Sequence, residues 1–156
     1  MPKKIISGGQ TGVDRGALDA CLLHAFNSGG WCPKDRLAED GKIDIKYPLT
    51  ETSDSDSEIR TRRNAKEANG TLIISPGHLF GGTYLTKEIA DEMKKSVLVV
   101  SPWDGALNDI FTTIHLWIKK QEINVLNIAG PRKSQWLTGY EISFLITEML
   151  IKETQN

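Results

Sequence analysis

The sequence holds only two cysteines, Cys21 and Cys32, in 156 residues. Neither belongs to a Cys-x-x-Cys pair or a His/Cys cluster, which excludes a disulfide framework and a zinc site, so both are read as reduced thiols. Long apolar runs are missing too. Met1-Pro2-Lys3-Lys4-Ile5-Ile6-Ser7 reaches a glycine turn after two apolar residues, too few for a signal peptide, and no later run could cross a bilayer. The expected setting is the cytoplasm, with no membrane partner. An excess of one charge is also lacking: Lys plus Arg total 19 against 20 for Asp plus Glu. Without a basic run, general nucleic-acid binding is not expected. Histidine is scarce, with three, and no two have helical metal-site spacing, so no metal site is expected. His24 and His115 lie in apolar helical patterns, where a partnered structural histidine is the common case, and His78 alone lies in a loop.

What the sequence does have is alternation. Short apolar runs ending in glycine or proline are separated by stretches of helical spacing, the pattern of βα units around a parallel sheet. Four runs are clear: Lys4 to Ser7, Thr71 to Ser75, Val97 to Ser101 and Asn124 to Ala129. They are mostly β-branched or leucine, as strands covered on both faces should be. A fifth strand, near Asn27 to Cys32, has a weaker pattern. Helices are expected over Ala17–Phe26, Ser57–Ala68 (capped by Ser57 or Asp56), Thr83–Lys95, Leu107–Gln121 and Tyr140–Glu153. Within them Ile114, Trp117 and Ile118 read as core. Pro33 to Thr52 reads as a long irregular connection, and long loops in compact domains are often functional. Asp54 to Glu58 reads as a solvated helix start. The expectation is one three-layer α/β domain over residues 1–156, Rossmann-like, with a mostly parallel sheet and its strand order open.

In that frame Ser7-Gly8-Gly9-Gln10-Thr11-Gly12-Val13-Asp14-Arg15-Gly16 is the first strand-to-helix turn, the place where open α/β sheets bind ligands. Free N–H groups and the helix dipole favour an oxyanion there, and glycines let it come close. The run fits neither Gly-x-Gly-x-x-Gly nor Gly-Lys-Ser/Thr, which argues against an ordinary dinucleotide dehydrogenase and a P-loop ATPase. Arg15 is suited to pair with a phosphate and Gln10 and Thr11 to donate hydrogen bonds, while Asp14 suits a helix cap or a sugar hydroxyl. A tight structural turn is the alternative. Gly81-Gly82-Thr83 sets a second glycine turn at a helix start, and Gly130-Pro131-Arg132-Lys133-Ser134 adds two cations. Three such turns can face one crevice, so an anion site is expected with Gly8 to Arg15 as its floor and Gly81, Gly82, Thr83 and Arg132 across from it.

A more specific resemblance rests on Gly-Gly-Gln-Thr-Gly-Val-Asp-Arg-Gly-Ala-Leu-Asp-Ala at 8 to 20, Gly-Trp-Cys-Pro-Lys at 30 to 34 and Ala-Glu-Asp-Gly at 38 to 41. Tyr-Pro-Leu at 47 to 49, Arg60-Thr61 with Asn64, Gly-Thr-Leu-Ile at 70 to 73, Gly-Gly-Thr at 81 to 83 and Ala-Gly-Pro-Arg at 129 to 132 complete it. From Lys4 to about Leu150 the chain resembles the molybdenum cofactor carrier family. That family is similar in turn to the LOG phosphoribohydrolases and DprA-like proteins of the SLOG Rossmann-like superfamily. The resemblance implies a small phosphorylated ligand, nucleotide-like or pterin-like, with molybdenum cofactor or a nucleotide as the bound molecule and a homo-oligomer as the assembly. It also implies that Arg60 matches an arginine of the LOG site.

One departure bears on chemistry. LOG enzymes carry Pro-Gly-Gly-x-Gly-Thr-x-x-Glu, whose glutamate takes part in cleaving an N-glycosidic bond; here that place is Thr86, and Glu88 lies roughly 200° further round the helix. A carrier or binding protein is therefore the first reading. A LOG-like phosphoribohydrolase is the alternative, with Asp14, Glu39 and Asp40 as its remaining acids. For Cys32, quiet packing is commoner than service as a soft ligand to a molybdenum-bearing group. Trp136 is placed to line the ligand site or a subunit contact, and Ile142, Leu145, Ile146, Met149 and Leu150 could cover the sheet or a partner.

Overall fold

The computed structural model describes residues 1–156. In chain order its elements are β1 (Lys4–Ile6), α1 (Val13–Leu23), β2 (Ser28–Gly29), β3 (Trp31–Cys32), β4 (Leu37–Ala38), β5 (Gly41–Lys42) and β6 (Thr50–Glu51). Then follow α2 (Ser57–Glu67), β7 (Gly70–Ile74), α3 (Gly81–Glu92), β8 (Ser96–Val100), α4 (Leu107–Lys120), β9 (Val125–Ala129) and α5 (Gly139–Thr154). Five strands form one parallel sheet in the order β2-β1-β9-β7-β8. Ile5, Leu72, Ile74, Leu126 and Ile128 point to one face, where Ala17, Ile114, Ile118, Ile146 and Leu150 of α1, α4 and α5 cover them. The opposite face is covered by α2 and α3, which pack on each other and on β7, β8 and β9. This is the three-layer Rossmann-like architecture that the alternating runs imply.

The strand order has a particular origin. Counting only these five strands and starting from β9, the order reads 3-2-1-4-5, the first five strands of the 3-2-1-4-5-6 dinucleotide-binding sheet. The chain thus begins at what would be the second strand and supplies the first one last. The order reverses between β9 and β7, and ligands lie at such a point in open α/β sheets.

Three local features differ from the sequence expectation. The first helix begins at Val13, before the expected Ala17, because Gly12 (φ 82°) ends the turn and the Val13 N–H bonds to Pro131 O at 3.3 Å. The weak fifth strand is two strands: Ser28–Gly29 joins the main sheet, and after Gly30 the chain leaves it to pair Trp31 and Cys32 with β6. Gly30 (φ 129°) packs on the backbone of Ser7 so closely that a Cβ would overlap Ser7 O.

The connection from 33 to 52 is also more ordered than its composition suggests. It holds the β4–β5 hairpin and is organised around Arg36, a buried side chain. That guanidinium donates to four carbonyls of its own loop: Ile43 O at 2.9 Å, Leu49 O at 3.2 Å, Asp44 O at 2.8 Å and Tyr47 O at 2.9 Å. Tyr47 and Ile43 pack with Leu18 and Cys32 in a second small core. The Tyr47 and Tyr140 hydroxyls both donate to Asp19, tying the loop and α5 to α1.

Candidate functional site

A cleft of about 230 Å³ lies at the carboxyl ends of β1, β7 and β9. Only two of its 17 lining residues, Leu85 and Ala129, are hydrophobic, so it is built to meet a polar molecule. Gly8, Gln10 and Asp14 line it from the β1–α1 segment, Arg60, Thr61 and Asn64 from α2, Gly81 to Thr83 with Thr86 from α3, and Asn127 with Arg132 from β9 and the turn after it. The three glycine-bearing turns do meet.

The donors at the two helix starts are in different states. At α3, Phe80 occupies the cap position without a side-chain cap bond, and the first amide to bond back is that of Tyr84, to Phe80 O at 3.2 Å. The N–H groups of Gly81, Gly82 and Thr83 have no partner within the protein. At α1 several of the corresponding groups are engaged, although the N–H groups of Gly12 and Asp14 are not. Gln10 N–H donates to Asp14 Oδ2 at 3.2 Å, Thr11 N–H to Gln10 Oε1 at 3.0 Å, and Val13 N–H to Pro131 O. Arg15 donates through Nε to Gly9 O and through both terminal nitrogens to Asp40, at 2.7 and 2.9 Å. Thr11 Oγ1 donates to Glu39 and accepts from Lys133 N–H.

Of the residues singled out in the sequence, Gly8, Gln10, Asp14, Arg60, Gly81, Gly82, Thr83 and Arg132 therefore line one cleft. Gly9, Thr11, Gly12 and Arg15 do not. Glu39 and Asp40, at the tip of the β4–β5 hairpin, hold Thr11 and Arg15 instead, and those hydrogen bonds keep both carboxyls below the ordinary range. Glu39 also accepts from Ser134 N–H and Oγ and lies 3.4 Å from Arg132 Nε. It braces the third turn against the first.

Electrostatically the cleft carries two cations and one acid. Arg60 lies over Gly8, donates to Gly8 O at 2.8 Å and stands 3.8 Å from Asp14 Oδ2. Asp14 is the only carboxylate in the lining. Burial raises its pKa above the usual range, and Arg60 and the Gln10 N–H offset this only in part. It sits in the first turn of α1, two residues past the cap position at Gly12. Thr86 lines the cleft, but its hydroxyl donates to Gly82 O at 2.9 Å, and Glu88 is exposed outside it.

Sequence reasoning did not pick out Asn127 or Gln135, and considered Ser57 only as a helix cap, a place Asp56 takes; all three also line the cleft. For Asn127 a signal existed: an amide inside an apolar strand pattern. Cys32 is buried away from the cleft, and burial pushes its thiol pKa up. Trp136 packs on Gly139 rather than lining the cleft. His24 Nε2 pairs with Glu148 Oε2 at 2.6 Å, and His78 is exposed. His115 differs from expectation: its Nδ1 is sealed without a partner, and its ring lies against Phe111. No group of three or more His, Cys, Asp or Glu side chains is placed to hold a metal ion.

Comparison with known proteins adds two matches. The model of a family described as the circularly permutated YpsA SLOG family matches residues 5–150. A crystal structure described as that of a "putative molybdenum carrier protein" from Syntrophus aciditrophicus SB is 44% identical, covers 94% of this chain and 93% of that one, and superposes with a TM-score of 0.92. No curated protein matches the chain.

Proposed function

This chain belongs to the circularly permutated YpsA SLOG family, and from that premise we propose that it is a carrier or binding protein that holds a phosphorylated pterin or nucleotide in the cleft where β9 meets β7. The observation that carries the reading is the state of the α3 N-terminus. Three adjacent unpartnered amides, at the positive end of a helix, open on a cleft that also holds Arg60 and Arg132. A phosphate monoester supplies the acceptors those groups lack. Apart from Asp14, Leu85, Ala129 and glycines, the remaining lining is amides and hydroxyls, suited to the polar edges of a heterocycle or sugar.

The relative from Syntrophus is described as a molybdenum carrier. Carried over to this chain, the cargo would be held through its phosphate and ring, since the cleft presents donors for an anion and no thiol or imidazole for a metal. A transport role needs no acid at the anomeric carbon. The place where LOG enzymes keep their glutamate holds Thr86, whose hydroxyl is already committed to Gly82 O. A second reading, a LOG-like phosphoribohydrolase, is favoured by one feature: Asp14, a buried carboxyl with a raised pKa in the same cleft. We further propose that residues 1–156 act as one domain and assemble into a homo-oligomer through the outer face of α5, where Leu145 is half-exposed; sedimentation at micromolar concentration checks the assembly.

The experiment that separates binding from fold is Gly82→Asp. A Cβ at Gly82 meets nothing within 4 Å, and a carboxylate in the first turn of a helix is favourable by about 0.3–1 kcal/mol, so the variant should fold as well as the parent. It places negative charge where the phosphate would sit. Nucleoside monophosphates, ADP-ribose, NAD and molybdenum cofactor are screened for thermal stabilisation, and every stabilising ligand should lose its effect in Gly82→Asp. Stabilisation that survives the substitution refutes the site. Multiple-turnover release of base, abolished by Asp14→Asn, would establish the hydrolase instead.

A further inference from the structure

Asn127 is out of place on physical grounds. It sits in the middle of β9, beside Ile6 on β1 and Thr71 on β7, on the sheet face that α2 and α3 cover, and it is 3% exposed. At such a position an apolar side chain serves the fold better. Burying an amide costs about 1–3 kcal/mol where its hydrogen bonds are incomplete. Asn127 has one: Nδ2 donates to Thr71 Oγ1 at a long 3.3 Å. An amide can make about four. The only side-chain polar atoms sealed from solvent without a partner are His115 Nδ1 and Thr147 Oγ1, so the unpaired amide oxygen of Asn127 faces the open cleft that the residue lines.

The surroundings clear a path to it. Ala129, two residues on and on the same face, stands about 7 Å above Asn127 at the strand rise of an extended chain, and its small side chain also lines the cleft. Gly8, in the turn after β1, and Arg60 of α2, which donates to Gly8 O, line the same cleft. Thr71 behind Asn127 fixes the amide plane from within the sheet. Asn127, its amide anchored to Thr71, thus shares one cleft with the free α3 amides, and the part of the cleft beside it is referred to as the notch.

We infer that Asn127 is the residue by which the cleft selects what is attached to the phosphate, reading a paired donor and acceptor on the organic part of a phosphomonoester. The inference rests on the phosphate reading above and deepens it. A bare anion satisfies the α3 amides and leaves Asn127 unpaired. A ligand whose sugar hydroxyl or heterocyclic edge reaches the notch satisfies both, and a site built to pair such a group discriminates strongly against molecules that lack it.

The test compares inorganic phosphate, ribose 5-phosphate, AMP and GMP by titration calorimetry on the parent protein, Asn127→Leu and Asn127→Asp. The parent should bind at least one organic phosphate tenfold or more tightly than inorganic phosphate. In Asn127→Leu that ratio should collapse to within about threefold while phosphate affinity holds. The melting temperature of Asn127→Leu should stay level or rise, because an apolar group replaces an underpaired amide. Asn127→Asp keeps the shape and adds a charge, so it should weaken every phosphate ligand. Ribose 5-phosphate matching AMP assigns the notch to the sugar; AMP or GMP exceeding it assigns the notch to the base. A merely structural Asn127 would lower the melting temperature on Asn127→Leu and leave the ratio intact, which overturns the inference but not the phosphate site. Failure of the parent to bind any of the four probes removes both.

Discussion

Replacing Arg36 by methionine should cost the protein about 3–4 kcal/mol, and the reasoning begins with the four carbonyls that converge on its guanidinium. A hydrogen bond to a charged donor contributes about 1.5–3 kcal/mol net, so four of them are large in sum. Against that stands the desolvation of a buried cation, several kcal/mol by itself, with no carboxylate among its partners to offset it. Methionine keeps most of the volume and removes both terms. What remains is the penalty of the abandoned carbonyls, about 1–3 kcal/mol each when dry. Asp44 and Lys46 are exposed, so water reaches part of the loop and reduces that penalty, which sets the net loss near the stated range. For a chain of this size the expected fall in melting temperature is roughly 10 °C. Urea unfolding followed by tryptophan fluorescence measures it directly. Lysine at 36 keeps the charge but has no planar fork, and should recover less than half of the loss. A loss below about 1 kcal/mol for Arg36→Met would refute the view that this one cation organises residues 33 to 52.

Asp14→Asn tests the buried carboxyl through pH. A carboxyl whose pKa is higher in the folded state favours folding while protonated; that contribution is complete below its ordinary value of 3.8 and fades as pH rises through the folded value. The variant should therefore be as stable as the parent or more stable at pH 7, with the gap closing by about pH 4; a gap that widens on acidification contradicts the raised pKa. A permuted chain tests the strand order: Met1, Pro2 and Lys3 share a shallow surface pocket with Glu153, Thr154 and Gln155, so a short linker should join them, with new ends cut at the exposed Gln121–Glu122 turn. That protein should unfold in one cooperative transition and bind the same ligands, and a molten or aggregated product would speak against the five-strand sheet as drawn.

How far the sequence foretold this depends on whether the decisive contact was local. The runs at 71 to 75 and 124 to 129 stand out because strands covered on both faces are mostly apolar; the run at 97 to 101 stands out equally, although β8 is an edge strand with Val99 exposed, and Gly81-Gly82-Thr83 stands out because a glycine turn before a helix is a short-range pattern. The start of α1 was harder, since the group that receives the Val13 N–H is Pro131 O, from the far end of the chain. Thr11 and Arg15 look like phosphate donors in isolation. The structure gives them to Glu39 and Asp40, carried in by a loop whose fold hangs on a buried arginine, and no local pattern announces such a residue. Asn127 was visible as an oddity in its strand, yet its meaning needed the neighbours that only the sheet register supplies.

The position of β9 also governs how the molecule comes into being on the ribosome. Translation delivers β1 with β2, and later β7 with β8, as two separate parallel pairs. The strand that must lie between them is made after both. Until Val125–Ala129 arrives, the inner edges of β1 and β7 are open, each offering unpaired backbone groups to any passing strand. The nascent chain therefore stays incomplete, and exposed to mispairing, until its final strand is inserted. The polar cleft is assembled last as well, because Asn127 and Arg132 arrive with that strand and the turn behind it.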